Sequence, residues 1–94
     1  MPKKALSPHE VMNREFLAAL RAGQARLGER DSDTARIMPD SKSTYYRRTR
    51  EPELFPLRDL RILAKRYNWA DWQVCRMLGV EYRGQTVEQE GRTT

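Results

Sequence analysis

Residues 31–50 read DSDTARIMPDSKSTYYRRTR, and the way this stretch divides decides the fold. Asp31, Ser32 and Asp33 are capping and acidic residues suited to the positive end of a helix dipole. The short helix they open is stopped at Pro39, whose ring removes a backbone donor. Pro39 and Asp40 make a tight turn, and Ser41 is placed to cap a new helix at once. That second helix runs to Arg50 and ends at Glu51-Pro52. Two short helices joined by a very brief turn are therefore expected.

The second of these helices carries the chemistry. At about 100° per residue, Lys42, Ser43, Tyr46, Arg47 and Arg50 share one arc of about 140°. Thr44, Tyr45, Arg48 and Thr49 occupy the opposite side, where Tyr45 and Thr49 are expected to hold the helix to the core and Arg48 to snorkel. No acid lies anywhere between Ser41 and Arg50. A solvated helix ordinarily mixes signs to gain pairs four residues apart. Here Arg47, Arg48 and Arg50 repel one another unless an anion relieves them. A duplex fits that need: Arg forks to guanine, Lys42, Ser43 and Thr44 can reach base edges or phosphates, and Tyr46 offers both a hydroxyl and an apolar ring. The plain alternative is a solvated helix whose tyrosines are half core, and charge with spacing does not separate the two.

Working outward, Ser7-Pro8-His9-Glu10 reads as a helix start with a capping box and proline at the first helical position. Met12, Phe16, Ala19, Leu20 and Leu27 follow at helical spacing, with Gly28 as the stop and Gly23 as an expected weak point. Beyond the loop holding Leu54 and Phe55, Pro56 stands where a fourth helix begins, with Leu57, Leu60, Leu63, Ala64 and Tyr67 as its apolar stripe and Asn68 at its end. Asp71 is the expected cap of a last helix carrying Trp72, Val74, Cys75 and Leu78, closed by Gly79. The fold class is all-α, a compact bundle of about five short helices with the second and third forming a helix-turn-helix. Residues 1–6 read as a loose basic arm, 7–79 as the folded domain, and 80–94 as a polar tail with a short strand expected at 80–82.

The 94 residues suit one core, and no separate effector or catalytic domain is expected. Its apolar runs are only a few residues long, which excludes a membrane-spanning helix, and the first residues lack the apolar stretch of a secretory signal. A single cysteine, Cys75, has no partner within the chain and reads as core, so a reducing cytoplasmic setting is expected. With His9 as the one histidine, no ligand set for a metal and no nucleophile–base pairing is expected. Neither a phosphate-binding glycine loop nor paired carboxylates in a pocket is legible, so no cofactor and no enzymatic activity is expected. The net charge of +5 favours a polyanionic partner, because each neutralised phosphate releases condensed counterions.

Residues 31–50 resemble the helix-turn-helix of the phage Cro/repressor (lambda-repressor-like) family. Ala35 matches the small helix-contact position, Met38 the apolar residue before the turn, Ser41 the polar opener of the second helix, and Thr44 and Tyr45 the positions that pack back. The Tyr-Arg-rich helix followed by a Pro-Glu loop is similar to phage-associated members, and the resemblance extends over roughly residues 11–79. Pro39 stands where the family usually has glycine and Asp40 where it has an apolar residue, so the turn differs and Asp40 becomes a candidate cap. Asp31 replaces the usual glutamine, which shifts the expected phosphate contact to Ser32.

The resemblance implies DNA contacts at Ser41, Lys42, Ser43, Tyr46 and Arg47, with Arg50 and Ser32 on the backbone. It further implies a sequence-specific double-stranded DNA-binding transcriptional regulator, a phage or prophage repressor acting by promoter occupancy, without a small-molecule effector. Such a protein binds as a homodimer to half-sites about one helical turn apart. Trp69 and Trp72 read as core or as a dimer contact, and Arg58 as a phosphate contact near the loop. The alternative is a small protein–protein adaptor or inhibitor on the same scaffold.

Overall fold

The computed structural model describes residues 5–82. Five α-helices follow in order: α1 Pro8–Leu27, α2 Asp31–Ile37, α3 Lys42–Arg50, α4 Leu57–Arg66 and α5 Asp71–Leu78, with a 3-10 turn at Pro52–Leu54. The all-helical bundle expected from the sequence is what forms. Residues 1–4 of the expected basic arm and 83–94 of the expected tail lie outside the described residues. The strand expected at 80–82 is absent: Val80 and Tyr82 are exposed, and no other strand among the described residues is there to pair with them.

The long α1 begins as its sequence dictates. Ser7 Oγ accepts the Glu10 N–H at 3.2 Å and Glu10 Oε1 accepts the Ser7 N–H at 2.8 Å, and Gly28 ends the helix in the left-handed region at φ 67°. Gly23 does not break it. A Cβ there would meet the Tyr67 Cβ at 2.5 Å, so the glycine is present because Tyr67 packs directly on the α1 backbone. The helix retains that residue against a propensity cost of about 1 kcal/mol relative to alanine.

The core is centred on α1. Phe16, Ala19 and Leu20 meet Ala35 and Met38 from the α2 end, Tyr45 from α3, and Phe55, Leu63, Tyr67 and Trp69 from the second half of the chain. Aromatic rings form a chain across it: Trp69 stands edge-on to Phe16 at 5.7 Å, Phe16 lies 5.1 Å from Phe55, and Phe55 lies 6.2 Å from Tyr45. Such pairs contribute about 0.5–1.5 kcal/mol each beyond the area they bury. The Trp69 indole N–H donates to the Ala19 carbonyl at 3.2 Å, which satisfies the ring's one polar atom inside the core. Trp69 is therefore a core residue.

Several expectations at the edges of this core are corrected. Leu27 and Leu57 are exposed although both fall on apolar stripes; one closes α1 and the other opens α4. Leu78 is exposed, and Cys75 is half-buried. Trp72 is also exposed, with the Arg76 guanidinium 5.5 Å from its ring centre. Asp71 is the first residue of α5 and not its cap; Ala70 holds that position, and Gln73 Oε1 reaches back to accept the Ala70 N–H at 2.8 Å. No helix among the described residues is long and apolar enough to cross a membrane.

Candidate nucleic-acid interface

The α2–turn–α3 unit is built as two short helices packed on each other, with Met38 ending α2 and Ser41 opening α3. Ser41 has extended φ and ψ of −68° and 160°, and its hydroxyl accepts the Thr44 N–H at 3.2 Å. The same hydroxyl lies 2.9 Å from Thr44 Oγ1 and 3.3 Å from Ser43 Oγ. Ser41 and Thr44 are thus occupied in closing the first turn of α3, and Thr44 is half-buried. Asp40 does not cap the helix, because the shorter Ser41 side chain already holds that place.

The inner side of α3 is fixed by two carboxylate clusters. The first is centred on Asp31. Its Oδ1 accepts from Arg21 Nη1 at 2.6 Å, from Gln24 Nε2 at 3.1 Å and from the Tyr45 hydroxyl at 2.8 Å. Burial alone would raise the Asp31 pKa, but the hydrogen bonds from Gln24, Arg21 and Tyr45 bring it below the ordinary 3.8. Tyr45 is almost fully buried, and that burial, reinforced by the bond to Asp31, pushes its hydroxyl well above its usual pKa. A single carboxylate thereby joins α1, α2 and α3.

The second cluster lies at the other end of α3. Arg48 Nη1 donates to Asp40 Oδ2 at 2.7 Å and to Asp59 Oδ2 at 3.1 Å. From the solvent side, Arg58 Nη2 reaches Asp40 Oδ1 at 3.3 Å and Arg58 Nε reaches Asp59 Oδ1 at 3.5 Å. Arg48 is therefore an internal bridge and not a snorkelling side chain. Asp59 is 1% exposed. Burial and the neighbouring Asp40 push its pKa up, while Asp40, bonded by Asp59 and facing Arg48, is held down. Arg58 is tied into this cluster.

The outer side is different. Lys42, Ser43, Arg47 and Arg50 are exposed, and the three cations make no salt bridge among the described residues. Ser32 is half-buried and shares a shallow notch with Ala35, Arg36 and Lys42, so the structure brings Ser32 and Lys42 together across the two helices. Arg36 completes that notch and was missed from the sequence, although its place one helical turn after Ser32 was a signal for it. Tyr46, expected on the reading face, is half-buried and packs edge-on to Tyr45 at 5.4 Å. Its Cα lies on the outer arc, but its ring leans onto the core. Lys42, Ser43, Arg47 and Arg50 are left as the open basic surface, with Ser32 and Arg36 at its edge.

Comparisons with family models, with curated proteins and with solved structures give no match. A second surface also stands out: Leu57, Leu60, Ala64, Trp69, Val74, Met77 and Leu78 line an apolar groove between α4 and α5, with Arg61 as its one charged member. His9 is exposed and lies 3.6 Å from Glu53. No group of three metal-ligating side chains occurs among the described residues.

Proposed function

We propose that this protein is a sequence-specific double-stranded DNA-binding regulator that lays α3 in the major groove. One observation carries the reading: a helix following a tight turn presents Lys42, Arg47 and Arg50 to solvent without a carboxylate partner among the described residues, while its inner side is tied down by carboxylates. Cations left without counter-charge on one rigid surface suit a polyanion. Arg47 and Ser43 reach base edges; Lys42, Arg50, Ser32 and Arg36 take phosphates; Tyr46 contributes its exposed edge, and Ser41 and Thr44 act through their backbone and the cap they form. The protein works in the cytoplasm by occupying a promoter, as a phage or prophage repressor of the Cro type does, without catalysis, cofactor or effector. The apolar groove between α4 and α5 suits pairing of two copies on a two-fold operator.

Selection from a random duplex pool tests this directly: the expected product is a palindromic consensus. Replacing Arg47 with Ala should remove discrimination among sequences. Replacing Arg50 with Ala should weaken all duplexes alike and reduce the salt slope by about one. A chain that binds no duplex at low salt overturns the reading. The same apolar groove favours a second one, an adaptor or inhibitor that docks a protein through α4 and α5, and absence of salt-sensitive duplex binding would select it.

A further inference from the structure

We infer that Arg48 and Asp59 are positioning residues that set the rotation of α3 about its own axis, and so decide which side chains face a bound duplex; this rests on the DNA-binding reading above. The two ends of α3 are held unequally. Its first half is secured by the Ser41 cap and by Tyr45, whose ring is in the core and whose hydroxyl reaches Asp31. A helix held along one line of contact can still roll about that line. In its second half Thr49 is buried, as expected, but spends its hydroxyl on the Tyr46 carbonyl of the same helix at 2.7 Å, so it adds packing and no polar tie to another element. Arg48 supplies that tie. Its single Nη1 joins Asp40 in the turn before α3 to Asp59 in the helix after it. Three residues from Tyr45, it projects about 60° away around the helix, so the two anchors together allow one roll angle.

The Asp59 end is the rigid one, because that carboxylate is buried and carried on the first turn of α4, whereas Asp40 lies in a turn and is partly exposed. Arg58 closes the cluster from outside but is 62% exposed and makes the longer contacts. Arg48 therefore governs, and Arg58 adds little.

The test uses the full chain carrying Asp59→Asn, Arg48→Met or the conservative Arg48→Lys, with two readouts. The first is the ratio of affinity for the selected site to affinity for random duplex. Asp59→Asn and Arg48→Met should lower that ratio about tenfold, the worth of one well-placed base contact, with random-duplex affinity little changed. Arg48→Lys, which keeps a cation between the two carboxylates, should restore most of it. The second readout is amide hydrogen exchange without DNA, in which α3 amides should exchange faster in Asp59→Asn while α1 amides do not.

An unchanged ratio in folded variants overturns the proposal, as does a ratio that falls equally in Arg48→Lys. If the unmodified chain binds no duplex, the DNA reading fails, and exchange alone decides whether the tie orients α3. Should Asp59→Asn fail to fold, Asp40→Asn carries both readouts, because it loosens the same bridge from its exposed side.

Discussion

α3 and α4 are both short helices with four basic residues each, yet they are held in place by different means. α4 contributes Leu63 and its neighbours Leu60, Ile62 and Ala64 to the core, carries its own acid in Asp59, and has Arg58 and Arg66 paired with carboxylates. α3 contributes only Tyr45 and the half-buried Tyr46 to the core and relies on hydrogen bonds from side chains: Tyr45 to Asp31, and Arg48 to Asp40 and Asp59. Three of its four cations have no carboxylate partner among the described residues. The difference shows how a helix with almost no apolar stripe can be rigid: a few part-buried polar ties substitute for hydrophobic area and leave the outer surface free of structural duties.

That contrast can be broken most forcefully on the apolar side. Leu63, wholly buried in α4, should cost about 2–5 kcal/mol on replacement by Ala, read as a shift in the urea midpoint. A loss below about 1 kcal/mol would mean that α4 is not anchored by area. Gly23→Ala comes next. The added methyl meets Tyr67, the residue just beyond α4, and overpacking of this kind costs about 1–3 kcal/mol. Thermal unfolding would measure it, and an unaltered midpoint would deny the close approach of α1 to Tyr67.

For α3 the expected effects are smaller and polar. Tyr45→Phe keeps the ring and removes one bond to a carboxylate, a loss of about 1.5–3 kcal/mol at most, and the Asp31 pKa should rise toward its ordinary value. An unmoved Asp31 titration would sink the idea that Tyr45 is tied through it. Arg47→Ala should leave stability within about 0.5 kcal/mol, since the side chain is exposed and makes no salt bridge among the described residues. A larger loss would show that the outer surface of α3 is structural after all.

The finest distinction is in acid. Asp31 is held below its usual pKa in the fold, so its stabilisation is present above the ordinary value and is lost as pH falls through the lowered one. Asp59 has the opposite sign: its raised pKa means the folded state favours its proton, and stability is withdrawn as pH rises from the ordinary value through the raised one. Carboxyl-carbon NMR titration should therefore show the two moving to opposite sides of 3.8. Titration of both on the same side would remove the contrast between the clusters.

Most of the helical frame was legible because its signals are local. Ser7 with Glu10, Ser41, Gly28 and Gly79 act within a few residues of themselves, and the caps form where they stand. The errors are long-range. Gly23 looked like a break because Tyr67, which requires it, is far along the chain. Arg48 looked like a snorkelling side chain, and Asp40 like a cap, because Asp59 is recognisable as their partner only once α4 has folded against the turn. Asp31 was set aside as a poor phosphate contact, whereas it is the junction of three helices. The outer arc of α3 came through nearly intact, since helix geometry alone separates it from the inner side. Tyr46 is the exception, because a long aromatic ring can lean back from where its Cα points.

Trp69 and Trp72 are only three residues apart, yet one lies edge-on to Phe16 with its indole N–H on a buried carbonyl, and the other is 47% exposed beneath Arg76. Intrinsic fluorescence should therefore contain two emitters of different colour. A neutral quencher added to the native protein should extinguish the red-shifted emission of Trp72 and leave the blue emission of Trp69. The protein thus carries its own optical gauge of core integrity, which needs no label and can be read in the same cuvette as a duplex titration.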